Sequence, residues 1–290
     1  MLAIYKKELR GYFTSMTGYM IIAFIMVMTG VFFSNSILLN GIPDIGYVLS
    51  NVYYVIIVVV VAVPVLTMRV IVDEKRQKTD QLILTSPVSI LSVVMGKYLA
   101  MLTLFAVPIF VICTFPLIMS LYGKVSMLRS YACIFAFFLM CAAAIAVGMF
   151  ISSLTDNQVI AAVITFAVLF TTCLVSSFSS MITDTWLVSF IACSAALLIA
   201  ALIYYFSARN YIAAIIIFAA GEAILGVIAL INRTLLEGVF SSILDWIALP
   251  DRIFYFANGV FSISGILYYL SVCGLFVFLT HQQIQKSRWN

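Results

Sequence analysis

Few residues of this chain are arranged for catalysis. A phosphate-binding loop needs Gly-x-x-x-x-Gly-Lys-Ser/Thr, but Gly96-Lys97 is followed by Tyr98, and position 91 is leucine. His281 is the one histidine, and neither His-Glu-x-x-His nor Gly-x-Ser-x-Gly occurs. The chain therefore lacks the residues for hydrolysing ATP by itself, for metalloprotease chemistry and for serine–histidine hydrolysis. An intramembrane enzyme is the least favoured function.

Glu222 stands out because it lies near the middle of an apolar run, residues 211–231. A carboxylate at the centre of a bilayer costs at least about 2.5–3.5 kcal/mol. No basic residue of another run is expected at that depth, so Glu222 is either protonated and hydrogen-bonded to a hydroxyl or faces a wet cavity. A role in a transport pathway or in coupling, and a structural hydrogen bond, are both open.

The most polar stretch, residues 69–87, holds seven of the 26 charged side chains and lies between two membrane-length apolar runs. Asp73 is placed to cap a short helix, in which Glu74 is followed four residues later by a lysine. Ser86-Pro87 marks the start of the next helix. A loop fixed by helices at both ends can transmit force. The other interpretation is a solvated loop that only orients the protein.

Composition fixes the class of protein that contains these residues. With 65% hydrophobic and 9% charged residues, the 290-residue chain has too little polar surface for a soluble globule. The apolar runs are about 20 residues long, which is the length of membrane-spanning helices. The fold class is therefore all-α and polytopic. The net charge of +4 reflects topology and not nucleic-acid binding, and the six cysteines are interpreted as buried apolar side chains without metal or disulfide.

The runs predict about eight spans. They cover residues 18–39, 51–68, 98–121, 131–152, 159–180, 186–206, 211–231 and 265–281. Lys97 is expected to extend toward water before the third span, which Pro108 and Pro116 are expected to kink. Lysine and arginine cluster at one set of connections, so both termini are predicted to be cytoplasmic, and only the link with Lys124 and Arg129 departs from this rule.

Amphipathic segments flank this transmembrane domain, residues 18–281. Residues 1–17 predict a cytoplasmic helix lying in the membrane interface, and residues 282–290 form a cytoplasmic tail. Residues 69–90 form a cytoplasmic loop. Residues 232–263 carry two helical stripes broken at Leu249-Pro250, which predict an outer re-entrant helix hairpin. The hairpin either shapes the mouth of a pathway or lies passively at the interface.

Several short segments resemble the permease subunits of type-2 ABC exporters, and most closely the gliding-motility-associated permeases. They are Lys7-Glu8-Leu9-Arg10, Thr67-Met68-Arg69, Asp73-Glu74-Lys75-Arg76, Thr85-Ser86-Pro87-Val88, Gly96-Lys97, Ser152 through Gln158, Tyr268-Tyr269-Leu270, Phe278-Leu279-Thr280 and Arg288-Trp289. The resemblance covers residues 1 to about 180 and 235–290. Family members usually have six spans, so residues 186–231 look like an inserted pair.

The resemblance implies a multi-pass protein of the cell (inner) membrane that forms an export path with a second permease copy or paralogue. Two copies of a separate ATP-binding subunit would bind ATP and Mg²⁺, and this chain would bind no cofactor. The residues matching the coupling contact are Asp73, Glu74, Arg76, Thr85, Ser86, Pro87 and Val88. The alternative is a proton-coupled secondary carrier that uses Glu222. The substrate stays open, although the composition of the spans suits an amphiphile.

Overall fold

The computed structural model describes residues 1–40, 44–77, 89–121, 125–179 and 239–289, together with residues 189–191, 194, 198, 219, 221 and 222. All regular structure in these residues is helical, so the all-α prediction is confirmed. The helices are α1 (Leu2–Thr14), α2 (Met16–Asn40), α3 (Ile45–Leu49), α4 (Val52–Thr67), α5 (Val72–Arg76), α6 (Ile90–Ile112), α7 (Thr114–Ser120), α8 (Met127–Leu154), α9 (Gln158–Ser179), α10 (Val239–Ile247), α11 (Asp251–Ala257) and α12 (Ile263–Trp289).

Six helical stretches within the described residues are long and apolar enough to cross a membrane. They are Met16–Ile37, Val52–Arg76, Ile90–Ser120, Met127–Leu154, Gln158–Val175 and Ile263–Lys286. These six correspond to the first five predicted spans and to the last one. The predicted spans 186–206 and 211–231 fall almost entirely outside the described residues, so a total of eight stays a prediction.

The chain divides into two compact units, one formed by Met1–Cys173 with Leu249–Asn290 and the other by Leu174–Ala248. In the first unit α8 is the central helix, because 83% of its span is buried against 22% for the spans of α9 and α12. Helices α4, α6, α11 and α12 all pack on α8. Its middle is rich in alanine, and small side chains let helices approach closely where lipid gives no hydrophobic drive to association.

One close contact lies between α8 and the end of α4. A Cβ added at Gly148 would stand 2.5 Å from Oγ1 and 2.9 Å from Cγ2 of Thr67. The Thr67 hydroxyl donates to the Val63 carbonyl of its own helix and is fully buried. Thr67 is therefore not free to turn aside, and it belongs to the last turn of α4 before residues 69–77.

Gly148→Ala is expected to destabilise the protein by about 1–3 kcal/mol, because the added methyl group overpacks the contact between α4 and α8. Thermal unfolding in mild detergent measures the effect. Gly30→Ala is the matched control, since within the described residues no atom beyond the adjoining backbone of α2 lies within 4 Å of a Cβ at Gly30. Equal melting temperatures for both variants would contradict the close packing of Gly148 on Thr67. Adding Thr67→Ala to the Gly148→Ala variant should restore part of the lost stability, because it removes the side chain that the new methyl group meets.

The third span is interrupted near one of its two prolines, Pro116, whereas a kink at Pro108 stays a prediction. Helix α6 continues through Pro108 and ends at Ile112, and α7 begins at Thr114. Pro116 has no N–H to donate to the carbonyl of Ile112, four residues before it, which accounts for the break at Cys113. The two helices together still have the length and hydropathy of a single span.

Two short helices also occur where the sequence predicted a broken helical pair. Helices α10 and α11 stand on either side of Leu249-Pro250. Pro250 occupies the N-cap position of α11. A break at this dipeptide agrees with the prediction, whereas entry of the pair into the membrane as a re-entrant hairpin stays a prediction.

Candidate functional site

The polar segment after α4 is anchored by its own apolar residues. Residues 68–71 form a turn, and α5 adds little more than one helical turn. Val70, Ile71 and Val72 are each no more than 5% exposed. Burial of these three apolar residues fixes the position of the four charged residues that follow in α5, residues 73–76.

Lys97 lies beneath this segment and binds it from the side of α6. Its Nζ is 2.8 Å from Oε1 of Glu74 and 3.4 Å from Oε1 of Glu8 in α1, and it donates a hydrogen bond of 2.8 Å to the Val70 carbonyl. The side chain is only 3% exposed. A buried ammonium group needs such partners, because its desolvation is otherwise uncompensated. The expectation that Lys97 reaches water is therefore wrong, since two carboxylates cover it.

A second cation completes the cluster at its solvent side. Nζ of Lys7 is 3.9 Å from Glu74 and 4.0 Å from Glu8, and its side chain is 71% exposed. Water screens this pair of contacts strongly, so they contribute little. The Lys97 cluster, defined as Lys7, Glu8, Glu74 and Lys97, has no net charge, and its inner cation makes the short contacts.

The opposite side of α5 is bound to the turn between α8 and α9. Lys75 donates a hydrogen bond of 2.7 Å to the Ser153 carbonyl, and its Nζ is 3.2 Å from Oδ1 of Asp156. Nε2 of Gln158 donates to Oδ1 of Asp73. The predicted helix cap by Asp73 is wrong, because α5 begins one residue earlier at Val72 and the carboxylate is occupied by this interaction.

Helix α1 is held on α6 by a further polar contact. The hydroxyls of Tyr5 and Thr103 are 2.9 Å apart, and the Thr103 hydroxyl donates to the Leu99 carbonyl. Glu8 therefore stands over Lys97 on a helix that is fixed at two points along α6. Together, these contacts join α5 to α1, α6, α8 and α9.

A cavity of about 340 Å³ opens beside the Lys97 cluster. Its lining residues are Lys7, Glu8, Gly11, Tyr12, Ser15, Thr17, Arg69, Val70, Asp73, Glu74, Gln77 and Lys97. Burial above all, with the charges of Glu8 and Asp73, raises the pKa of the Tyr12 hydroxyl well above its usual range. The Tyr12 side chain therefore lines the cavity as a neutral phenol. Arg69 and Gln77 are exposed and so is Arg76, which makes these three side chains available to a partner.

The sequence-predicted site residues thus divide into three groups. Asp73 and Glu74 turn inward onto Gln158 and Lys97, and Arg76 turns outward. Thr85, Ser86, Pro87 and Val88 lie outside the described residues; α6 begins beyond them at Ile90, where the Ser89 hydroxyl accepts from the Ser92 N–H. Glu222 is half-buried, and its Oε1 has no hydrogen-bond partner among the described residues.

Sequence reasoning gave no site role to Glu8, Lys97 or Gln158. All three nevertheless belong to the short segments that carried the family resemblance, and that is the signal that could have identified them. In the part of the chain that the structure describes, no three histidine, cysteine, aspartate or glutamate side chains lie close enough together to hold a metal ion. The Lys97 cluster is suited to mechanical connection, because the short contacts of Lys97 join α6 to α1, to α5 and to the turn before α5.

Comparison with known proteins gives one family. Residues 43–231 match the sequence model described as ABC-2 family transporter protein, which is more than half of the chain. The matched range contains α5, Lys97 and the turn between α8 and α9. No curated protein and no solved structure matches the chain.

Proposed function

Because the chain belongs to the ABC-2 transporter family and is the membrane-spanning permease of an ABC transporter, we propose that residues 69–90 receive the motion of its ATPase. The permease itself lacks ATPase activity, and ABC-2 permeases generally pair with ATP-binding subunits. Movement of a docked subunit would displace α5, and the contacts of α5 would pass that displacement to the spans.

The observation that carries this proposal is the two-sided attachment of α5. Lys97 ties Glu74 and the Val70 carbonyl to α6 and α1 on one side. Lys75 and Asp73 tie the same short helix to the turn between α8 and α9 on the other. Because α5 is bound on both sides, it cannot shift without its neighbours. A force on α5 therefore reaches α1, α6, α8 and α9, and such a transfer is what a rigid-body movement of packed helices needs.

The contact itself is proposed to involve three sets of residues. Arg76 is exposed and offers a guanidinium that can pair with carboxylates of a partner. Asp73 and Glu74 would lie near the contact and hold α5 in place. The docking surface for the ATP-binding subunit would also include Thr85, Ser86, Pro87 and Val88, because these residues match a segment that carries the family resemblance.

The finer features of the assembly are proposed from sequence and resemblance. Two permease chains, identical or paralogous, would assemble with two ATP-binding subunits that hold ATP and Mg²⁺, and the chain would belong with the gliding-motility-associated permeases. The distribution of lysine and arginine supports an inner-membrane protein with both termini in the cytoplasm. The cargo would be exported, and an amphiphile extracted from the inner leaflet suits the apolar spans.

The test is purification of the tagged chain from its native membrane in mild detergent. We expect a stoichiometric ATP-binding subunit to co-purify, with ATPase activity that vanadate inhibits. A folded chain that carries no ATP-binding subunit would contradict the proposed coupling. The same preparation gives the reference values of stoichiometry and turnover for every variant described below.

Glu222 is proposed as a pathway or coupling residue within the spans, and the support is its buried Oε1 without a partner among the described residues. Glu222→Gln is expected to leave co-purification of the ATP-binding subunit unchanged, because the substitution keeps the size of the side chain and lies outside residues 69–90. Subunit stoichiometry and cargo-stimulated ATPase activity measure the two roles separately. Loss of the ATP-binding subunit from the Glu222→Gln variant would contradict the assignment. Glu8→Gln, which makes the same change of side chain within the Lys97 cluster, is the comparison variant for both measurements.

A further inference from the structure

A second cavity, of about 750 Å³, lies at the end of the helices opposite the Lys97 cluster. Its walls come from the first turns of α8 and from the segment between α11 and α12. The lining residues are Ser126, Leu128, Arg129, Tyr131, Ala132, Phe135, Phe256, Gly259, Val260 and Phe261. Most of them are apolar, and several are exposed: Leu128 by 86%, Phe261 by 62% and Val260 by 56%.

The wall opposite α8 is built by a helix end. Gly259, with φ of 80°, follows α11, and the N–H groups of Gly259 and Val260 donate to the carbonyls of Phe256 and Tyr255. This is the Schellman arrangement, which needs a left-handed residue that glycine supplies without strain. These hydrogen bonds hold Val260, and Phe261 after it, as one side of the groove. The apolar surface of the groove is therefore built into the end of α11.

Arg129 is the one charged residue among the described residues that line the groove. One terminal nitrogen of its guanidinium is 3.5 Å from Oδ2 of Asp44, and its side chain is 41% exposed. Its Nε is buried without a hydrogen-bond partner among the described residues. Asp44 has other donors, since its Oδ1 also accepts from the Gly46 N–H and the Ser130 hydroxyl. A guanidinium has five N–H donors, and within the part of the chain that the structure describes the Arg129 guanidinium pairs with one carboxylate, that of Asp44.

The depth of these groups in the membrane is set by their place on α8. Arg129 lies two residues after the start of the span at Met127. Phe135 is six residues further, about 9 Å along the helix axis at 1.5 Å per residue. The cation therefore stands at the level of lipid headgroups, and the apolar walls continue into the hydrocarbon region.

We propose that this groove is a binding site for a phospholipid of the surrounding leaflet, with its phosphate on Arg129 and an acyl chain between α8 and Val260-Phe261. The planar guanidinium matches phosphate oxygens in a bidentate arrangement. Burial of an acyl chain against Ala132 and Phe135 supplies the apolar part of the affinity. The site is independent of the ATP-binding subunit and of the proposed coupling.

The test is native mass spectrometry of the purified chain mixed with equal amounts of phosphatidylglycerol and a galactosyl diacylglycerol of the same acyl chains. We expect phosphatidylglycerol to be retained about tenfold more, the ratio given by one charged hydrogen-bonded contact. Arg129→Gln should bring the ratio close to one. Lys286→Gln, which removes an exposed cation at the other end of α12, should leave it unchanged.

A second variant keeps the proposal testable if Arg129→Gln does not fold. Ala132→Phe fills the groove and keeps the arginine, so retention of both lipids should fall together. Equal retention of the two lipids by the wild-type chain, an unchanged ratio in Arg129→Gln, or unaffected binding in Ala132→Phe would each overturn the assignment. A ratio that falls only in Lys286→Gln would place the lipid elsewhere and overturn it as well.

Discussion

Lys97→Met is expected to lower the free energy of unfolding by about 3–5 kcal/mol, the usual result of removing one partner from a buried ion pair. The methionine keeps the length of the side chain but carries no charge. Glu74 and Glu8, whose carboxylate oxygens lie 2.8 and 3.4 Å from Nζ of Lys97, would then lose their buried cation and keep only the longer contacts with the exposed Lys7. The Val70 carbonyl would also lose its donor.

Lys7→Met is the matched control, because it removes a cation from the same two carboxylates at the solvent side. At 71% exposure and 3.9–4.0 Å, its contacts are worth less than about 1 kcal/mol. Thermal unfolding of both variants in the same detergent compares them directly. Similar melting temperatures would mean that Lys97 is not the stabilising cation of the cluster.

A double substitution separates the charge effect from a packing effect. Glu74→Gln in the Lys97→Met background removes one of the two carboxylates that lost their buried cation, so the double variant should be more stable than Lys97→Met alone. Residues in contact show interaction energies of about 0.5–3 kcal/mol in such cycles. Additive losses would indicate that Lys97→Met acts by altering the packing of α6 alone.

The helices were predictable because their signal is local. A run of about 20 apolar residues must span a membrane as a helix whatever surrounds it, and six such runs are helices in the described residues. The break near Pro116 and the pair of helices around Pro250 are local signals as well, because proline lacks the backbone N–H.

The interior of the site was not predictable in the same way. Lys97 pairs with Glu8, 89 positions earlier, and Gln158 pairs with Asp73 across 85 positions. Hydropathy and spacing contain no information about such pairs, so Lys97 was expected to extend toward water from the membrane interface and Asp73 to cap a helix. What the sequence did contain was part of the set of segments, since the resemblance motifs that hold Glu8, Lys97 and Gln158 meet at α5.

The second large effect is expected from charge reversals on α5, which separate docking from transmission. Arg76→Glu is expected to lower co-purification of the ATP-binding subunit about tenfold or more, because arginine contacts dominate many interfaces. Arg76 is exposed, so the melting temperature of the permease alone should not change. Lys286→Glu, an exposed reversal on α12, is the control for net charge.

Glu74→Lys acts on the other side of the same helix. It would place an ammonium group at the position that now lies 2.8 Å from Nζ of the buried Lys97, so α5 should lose its attachment to α6. We therefore expect loss of ATPase coupling together with a lower melting temperature of the permease. Lys97→Glu in the same chain should restore part of both, although Glu8 would oppose the new carboxylate.

The two variants together decide how α5 works, because docking and transmission fail differently. If Glu74 touched the ATP-binding subunit directly, the exchanged pair Glu74→Lys/Lys97→Glu would recover stability without recovering coupling. If Glu74 acts through Lys97, stability and vanadate-sensitive turnover should return together while Arg76→Glu stays defective in binding alone. Normal stoichiometry and turnover in both single variants would sink the assignment of residues 69–90 to coupling, since Arg76 is the one exposed charged side chain of α5.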